Sequence, residues 1–179
     1  IVIDGRPDTL DGSIQAAINA ASDGDTITVG PGSYEPFAIA FGGPANLTIK
    51  GLEGATIDAS GSTASSLRIV DLRADGTTFE GFTIVGPGDF DATGTTHVGI
   101  SVSGRGVSVN DNTISEVRTG IQTTTQYPEG KGTFDGNTIS NASVGISLQN
   151  TGNLVSDNIV TASVEGLGIL PGANTLNGN

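Results

Sequence analysis

The chain has 179 residues, a formal net charge of −12, 28 glycines and neither cysteine nor methionine. The charge argues against nucleic acid as a partner, because contacts to phosphates need clustered Lys and Arg, and no disulfide is possible. No run of about 18 apolar residues occurs, so we expect no membrane insertion. We expect a single domain over residues 1–179.

Residues 1–25 predict an N-terminal strand followed by a short capping helix. In the segment "DGSIQAAINAA", apolar residues recur at helical spacing, at Ile14, Ala17, Ile18 and Ala21. Asp11 or Ser13 can cap the N-terminus of this helix, and Gly24 can end it. A short helix with one apolar stripe is typical of a lid, so we expect it to cover the open edge of the sheet that follows.

Residues 26–179 predict short β-strands, because apolar residues alternate with Ser, Thr or Gln between glycine-rich and asparagine-rich corners. Clear examples are "TITV", "FAIAF", "LRIVDL" and "TFEGFTIV". Equivalent strands begin near Phe37, Leu67, Val98, Gly120, Gly145 and Gly166. These strand starts predict about six stacked units, in an all-β protein.

The second half of the chain contains three near copies of one segment, "VNDNTIS", "FDGNTIS" and "VSDNIVT". Their central asparagines, Asn112, Asn137 and Asn158, lie 25 and then 21 residues apart, and Asn179 follows after another 21. A period of this length, with three short strands per copy, is typical of a parallel β-solenoid. Each copy is then one coil, which buries its inner face against its neighbours.

The repeated asparagine has a structural explanation. Asn tolerates the left-handed backbone conformation of a corner, and its amide can bond the equivalent amides in the coils above and below. We therefore predict a ladder of Asn112, Asn137, Asn158 and Asn179 at one turn. Phe82 takes the equivalent position one coil earlier, so the ladder begins at Asn112.

The pattern "NTIS…GI.L…DN" resembles the right-handed parallel β-helix of the pectate-lyase-like superfamily, which includes alginate epimerases, polysaccharide lyases and surface proteins. The segment "SIQAAINAASDGDTITVGPGSY" (Ser13–Tyr34) is similar to the beginning of such chains. The resemblance implies a right-handed single-stranded parallel β-helix. It also implies a substrate groove along the sheet whose strands begin near Phe37, Leu67, Val98, Gly120, Gly145 and Gly166, which we call the groove face.

Two insertions flank the groove face and are longer than a compact solenoid turn requires. One is "GPGDFDATGTT", residues 86–96, and the other is "TTQYPEGK", residues 124–131. Long loops on a rigid scaffold are common places for function. Because these loops lie one coil apart on opposite sides of the sheet, we expect a short cleft between them.

Three residues near this cleft are candidates for catalysis. A uronate lyase or mannuronan C5-epimerase needs a base, an acid and a group that neutralises the carboxylate. His97 can act as the base, although an exposed histidine at a strand end is the favoured interpretation. Tyr127 can give a proton or stack on a sugar, or it can anchor its loop. Arg68 can hold a carboxylate, because it points outward if Leu67 and Ile69 point inward.

Other residues are candidates for binding a substrate or calcium. Arg118 precedes Gly120 and can reach the same cleft, although a surface ion pair with Glu116 or another acid is favoured. Gln122 lies on the groove face, and Lys131 ends the second insertion. Asp89 and Asp91, in "DFDATG", resemble the first half of a calcium loop. The closing glutamate of such a loop is absent, because Ile100 holds its place. We therefore assign no cofactor and keep Ca²⁺ as an alternative.

Two functions remain open, and whether the chain is an enzyme stays undecided. The favoured one is a non-catalytic extracellular module, either a spacer or a glycan-binding part of a larger secreted or surface protein. The alternative is a polysaccharide-acting enzyme of the lyase or epimerase type, with its site between residues 86–96 and 124–131. The chain begins without Met and stops in mid-coil, so we expect a fragment of a longer chain. We expect further domains or self-association at its C-terminal end.

Overall fold

The computed structural model describes residues 1–4, 6–7, 12–88, 94–169 and 174–179. These residues form one helix and eighteen strands, in the order β1 (Val2–Ile3), β2 (Arg6–Pro7), α1 (Ile14–Ala20), β3 (Thr26–Val29), β4 (Gly32–Tyr34), β5 (Phe37–Ile39), β6 (Thr48–Gly51), β7 (Ala55–Asp58), β8 (Ser66–Leu72), β9 (Thr78–Glu80), β10 (Thr83–Val85), β11 (Thr96–Val102), β12 (Ser108–Asn110), β13 (Thr113–Thr123), β14 (Thr133–Asp135), β15 (Thr138–Leu148), β16 (Leu154–Ser156), β17 (Ile159–Ile169) and β18 (Thr175–Asn177). None of the described helical residues forms a segment long and apolar enough to cross a membrane.

From β3 onward the strands stack in parallel on three faces of a solenoid, which confirms the predicted all-β parallel β-helix. The short strands β1 and β2 add an antiparallel edge next to β3. The A face is the series β3, β6, β9, β12, β14, β16 and β18. The B face is β4, β7 and β10, continued by the first halves of β13, β15 and β17. The groove face is β5, β8 and β11, continued by residues 119–123, 144–148 and 165–169. The groove face therefore has six strands, as predicted for six coils.

Columns of apolar side chains fill the interior, and each face contributes one that runs through at least four coils. On the A face it is Ile27, Ile49, Phe79, Val109, Phe134 and Val155. On the B face it is Ile57, Ile84, Ile114 and Ile139. On the groove face it is Val70, Ile100, Ile121 and Ile146. Because each column runs through successive coils, a single coil could not bury its own inner face.

The helix α1 covers the N-terminal end of the solenoid, as predicted for a lid. Ser13 is its N-cap and accepts a hydrogen bond from the backbone N–H of Ala16. Asp11, the other predicted cap, lies outside the described residues, and the helix ends at Ala20, before Gly24. The side chain of Gln15 accepts a hydrogen bond from the backbone N–H of Ala38 in the edge strand β5, 3.0 Å away. The lid therefore satisfies a donor of the open sheet edge as well as covering apolar surface.

The predicted asparagine ladder is present in the structure. Asn112 donates from Nδ2 to Oδ1 of Asn137 (3.1 Å), which donates in the same way to Asn158 (2.9 Å), and Asn158 to Asn179 (2.9 Å). Oδ1 of Asn112 accepts from the backbone N–H of Phe82 at 3.0 Å, so Phe82 does occupy the same corner one coil earlier. Each amide thus joins its own coil to the next one.

The expectation that the ladder asparagines themselves adopt the left-handed conformation is wrong. The left-handed residue is the one before each, and these are Gly81, Asp111, Gly136, Asp157 and Gly178. Glycine and aspartate alternate in this series for a steric reason. A Cβ on Gly136 would lie 2.5 Å from Oδ1 of Asp111, so the carboxylate of one coil occupies the space above the glycine of the next.

A second ladder was not predicted from the sequence. Asn153 donates from Nδ2 to Oδ1 of Asn174 (3.0 Å), and its own Oδ1 accepts from the backbone N–H of Gly132 (2.9 Å). Asn153 and Asn174 are 21 residues apart, the same step that separates Asn158 from Asn179. This repeated spacing was the feature of the sequence from which the second ladder could have been predicted. The two ladders stabilise two different corners of the same coils.

Candidate functional site

A single outward row of side chains crosses the groove face from coil to coil. Its members are in register across neighbouring strands, and they are Ala38, Asp71, Ser101, Gln122, Ser147 and Gly168. Of this row, the sequence placed Gln122 on the groove face but did not identify Asp71. In β8, Ile69 and Val70 are consecutive and both fully buried, so the alternation of inward and outward side chains is interrupted between them. The predicted inward position of Ile69 is correct, but Asp71 consequently lies on the outward face, between the inward residues Val70 and Leu72.

Asp71 lies at the centre of a charged cluster. It is 4% exposed, and its Oδ2 accepts hydrogen bonds from Nε (2.9 Å) and Nη2 (2.6 Å) of Arg73. Nη1 of Arg68 lies 3.7 Å from the same oxygen. The hydrogen bond to Asp71, and then its charge, raise the pKa of Arg73 above its ordinary value. Two guanidinium groups around one carboxylate leave the cluster with a net positive charge.

The two arginines remain available to solvent although their partner is buried. The side chains of Arg68 and Arg73 are 51% and 36% exposed, and they border an open depression of about 400 Å³. Phe37, Ala38 and Ser66 complete its lining with Asp71. The guanidinium carbon of Arg73 also lies 5.6 Å from the ring centre of Phe41, which is 49% exposed. The site therefore offers N–H donors for an oxyanion beside an exposed aromatic ring.

His97 lies at the beginning of β11, as expected, but the expectation that it is exposed is wrong. It is 3% exposed, and its Nε2 lies 2.7 Å from the backbone carbonyl oxygen of Ala64. Because a carbonyl only accepts, Nε2 is the protonated nitrogen in this contact. The backbone N–H of Thr96 also donates to the carbonyl of Ser65. The segment before β8 thus covers the histidine, which the sequence could not show because Ala64 is 33 residues away.

We expect His97→Ala to lower the free energy of unfolding by about 1–3 kcal/mol, because it removes a buried hydrogen bond and leaves a cavity. Chemical denaturation measures the loss. His97→Gln, whose amide can still donate to Ala64, is the control and should retain part of the stability. Equal stability of wild type and His97→Ala would show that the histidine does not fasten this segment.

Tyr127 lies at the other end of the groove strands, in the loop after β13. The guanidinium carbon of Arg105 lies 4.4 Å from the centre of its ring, and Nε of Arg105 lies 3.5 Å from Oδ2 of Asp75. These contacts support the alternative that Tyr127 anchors its loop. His97 is five residues before Val102, which pairs with the last residue of β13. His97 and Tyr127 are therefore about 16 Å or more apart along the strand direction and do not meet.

The other predicted site residues are dispersed. Arg118 is exposed, and no acid lies within ion-pair distance of it in the described part of the chain. The favoured pair with Glu116 is therefore not formed, and Glu116 instead accepts from the amide of Asn141 at 2.6 Å. Gln122 is half-buried beside Ser101, and Nζ of Lys131 lies 3.6 Å from Oε2 of Glu129.

The possible calcium site remains a prediction. Asp89 and Asp91 lie outside the described residues. Elsewhere, the described ranges contain no group of three or more His, Cys, Asp or Glu side chains arranged to hold a metal ion.

A second depression, of about 460 Å³, lies between the turns that follow β4 and β7. Its acidic members are Glu35 and Asp58, with Ser33, Ser60 and Ser62 around them. Hydrogen bonds from the side chain and then the backbone of Ser60 lower the pKa of Asp58. The two acidic side chains make this depression unfavourable for anions, and two acids alone do not make a cation site. The cluster around Asp71 is the stronger candidate.

A protein-family model described as "Protein of unknown function (DUF1565)" matches residues 37–178. The match begins at the first strand of the groove face and includes all of the site described above. No curated protein and no solved structure shows a significant match to the chain.

Proposed function

We propose a non-catalytic function for this chain, which belongs to the DUF1565 family of proteins of unknown function: it is a rigid β-helix module that binds an acidic polysaccharide on its groove face. The observation that carries the proposal is the cluster in which Asp71 is buried between two exposed arginines. The buried carboxylate fixes Arg73 through two hydrogen bonds, and the exposed Arg68 beside it keeps N–H donors available to a ligand in the groove. We further propose that the module works outside the cell or at its surface, as part of a larger protein.

The distribution of charge supports an anionic partner on this face. The whole chain carries 19 acids against 7 bases, so it repels polyanions over most of its surface. One described lysine, Lys50, lies on the A face. Five described basic side chains lie on strands of the groove face or in the segments just before or after them, and they are Arg68, Arg73, Arg105, Arg118 and Lys131.

The form of the scaffold suits a long ligand. The outward row of the groove face runs along the solenoid axis and contains small and polar side chains beyond Asp71. Phe41 adds an exposed ring at one end, where the apolar side of a sugar can pack against it. An extended polysaccharide can therefore lie across several coils, with its charged groups at the arginines.

The lyase or epimerase alternative has no comparable support. It needs a base, an acid and a cation around one sugar unit. Arg68 is level with the residue after His97, but Tyr127 lies at the far end of the strands. New ultraviolet absorbance from a uronate polymer, lost in His97→Ala and Tyr127→Phe, would nevertheless establish a lyase and replace the present proposal.

We expect the protein to bind a polyuronate and not a neutral glucan, and we expect Arg68→Ala to weaken this binding about 10- to 100-fold. The magnitude corresponds to about 1.5–3 kcal/mol for a hydrogen bond between charged groups. Titration calorimetry at constant salt measures it. Arg68 is preferred to Arg73 for this test because its 3.7 Å contact with Asp71 contributes little to the fold.

Lys50→Ala is the matched control, since it removes one positive charge from the A face, where Lys50 pairs with Glu80 at 3.3 Å. Its affinity should equal that of the wild type. An equal loss in both variants would indicate unspecific attraction of charges. No binding of any acidic polysaccharide by the wild type would contradict the proposed function itself.

A further inference from the structure

Two neighbouring oxygen atoms in the groove face have no hydrogen-bond partner. They are Oδ1 of Asp71 and Oγ of Ser101, and each atom is buried. The two residues are opposite each other on the adjacent strands β8 and β11, whose backbones are about 4.8 Å apart. Asp71 is 4% exposed and Ser101 is fully buried, although both belong to the outward row.

The fold does not require these unpaired oxygens. A buried polar atom without a partner is destabilising, and most such atoms in proteins are paired. The same outward row contains Ala38 in the coil before Asp71, so this position accepts a side chain without a hydroxyl. Two residues further along the strands, Oγ1 of Thr124 donates to Oγ of Ser103 at 3.1 Å, so neighbouring hydroxyl groups on this sheet do pair where the geometry allows it.

We infer that Oδ1 of Asp71 and Oγ of Ser101 form a subsite for a sugar hydroxyl group, beside the arginines that receive the oxyanion of the same ligand. This inference rests on the proposed function and adds the chemical class of the ligand. One hydroxyl group can donate to the carboxylate of Asp71 and accept from Ser101, which satisfies both atoms at once. The ligand is then a sugar unit that has a carboxylate or sulfate group and a free hydroxyl close to it.

Arg68 controls access to this subsite. Both oxygens are covered in the free protein, so a side chain near them has to move before a ligand reaches them. Arg73 is held by two short hydrogen bonds, whereas Arg68 is half exposed and only 3.7 Å from Asp71. A weak exposed pair is easily exchanged. An oxyanion that attracts Arg68 away from Asp71 therefore opens the subsite for the neighbouring hydroxyl.

The test is Ser101→Ala, measured for both stability and binding. The variant should unfold at the same or a higher denaturant concentration than the wild type, because it removes an unpaired buried hydroxyl. It should bind polygalacturonate about 5- to 20-fold more weakly, in keeping with the loss of one hydrogen bond. Ser108→Ala, at a half-buried serine of β12 on the A face, is the matched control and should change neither quantity.

Chemically modified polymers separate the two parts of the ligand. On O-acetylated polygalacturonate, whose hydroxyl groups are blocked, Ser101→Ala and the wild type should bind equally. Dextran sulfate tests whether the arginines accept a sulfate as well as a carboxylate. If Ser101→Ala weakens the binding of only one of these two polymers, polygalacturonate or dextran sulfate, the acidic group of that polymer is the one that lies beside the hydroxyl.

The results distinguish a failure of the hydroxyl subsite from a failure of the proposed function. If Ser101→Ala binds polygalacturonate as tightly as the wild type while Arg68→Ala binds it more weakly, the inferred hydroxyl subsite is wrong and the proposed function stands. If Ser101→Ala is less stable than the wild type, the hydroxyl has a structural role and the inference is overturned. If the wild type binds none of the polymers, the inference falls together with the proposed function.

Discussion

Asn137→Ala is expected to lower the free energy of unfolding by about 3–5 kcal/mol, because one amide serves three coils. Asn137 is fully buried, and its Nδ2 donates to Oδ1 of Asn158 (2.9 Å) and to the carbonyl of Val109 (2.8 Å). Its Oδ1 accepts from the backbone N–H and from Nδ2 of Asn112, both at 3.1 Å. Alanine removes all four of these hydrogen bonds, at about 1 kcal/mol for each.

Urea denaturation followed by circular dichroism measures this loss as a lower midpoint. Asn19→Ala is the control, since Asn19 is an exposed asparagine in α1 whose amide oxygen accepts only from Gln15. Alanine has a high helix propensity, so this variant should stay within about 0.5 kcal/mol of the wild type. A midpoint for Asn137→Ala that equals the midpoint of the control would show that the ladder does not stabilise the stacked coils.

The fold could be predicted because its determinants are periodic in the sequence. The steps of 25 and 21 residues between Asn112, Asn137 and Asn158 fix both the coil and the corner at which the ladder forms. Because the coils stack in register, residues at equivalent positions of the other coils are aligned as well, including Phe82 at the same corner. The corner conformation was assigned to the wrong residue, because tolerance of left-handed geometry is shared by Asn, Asp and Gly.

The site could not be predicted as well, because it depends on departures from periodicity. Alternation in "LRIVDL" places Asp71 inside, and only the burial of both Ile69 and Val70 brings it to the outward face. The sequence identified Arg68 correctly as exposed but did not reveal the carboxylate that holds it. The environment of His97 depends on a contact with Ala64, and that of Tyr127 on Arg105. Such contacts between irregular turns do not recur from coil to coil, so no repeated pattern in the sequence indicates them.

Gly120→Ala is expected to cost about 3 kcal/mol or more, since the new methyl group would meet backbone that cannot withdraw. A Cβ on Gly120 would lie 2.6 Å from the carbonyl oxygen of Gly145 and 2.7 Å from Cγ2 of Ile139. The same is true one coil earlier, where a Cβ on Gly99 would lie 2.7 Å from the carbonyl oxygen of Gly120. The hydrogen bonds between parallel strands fix the spacing of the coils, so the coils cannot separate to relieve the contact.

The control for this substitution is Gly61→Ala. Gly61 has no atom within 4 Å of an added Cβ in the described structure and does not have a left-handed φ, so alanine there should leave stability unchanged or slightly higher. Thermal unfolding compares Gly120→Ala and Gly61→Ala with the wild type. Equal midpoints for Gly120→Ala and the wild type would refute the close packing of the glycine column, which consists of Gly99, Gly120 and Gly145.

The same substitution should also weaken binding at temperatures where the variant remains folded. Gly99 and Gly120 lie two residues before Ser101 and Gln122 on neighbouring strands of the groove face. The absence of side chains at these glycines lets β11, β13 and β15 approach one another closely, and β11 carries Ser101 beside Asp71. A methyl group that displaces one strand disturbs that juxtaposition. We therefore expect Gly120→Ala to bind polygalacturonate more weakly than Gly61→Ala, and equal affinity would separate the glycine column from the function of the groove.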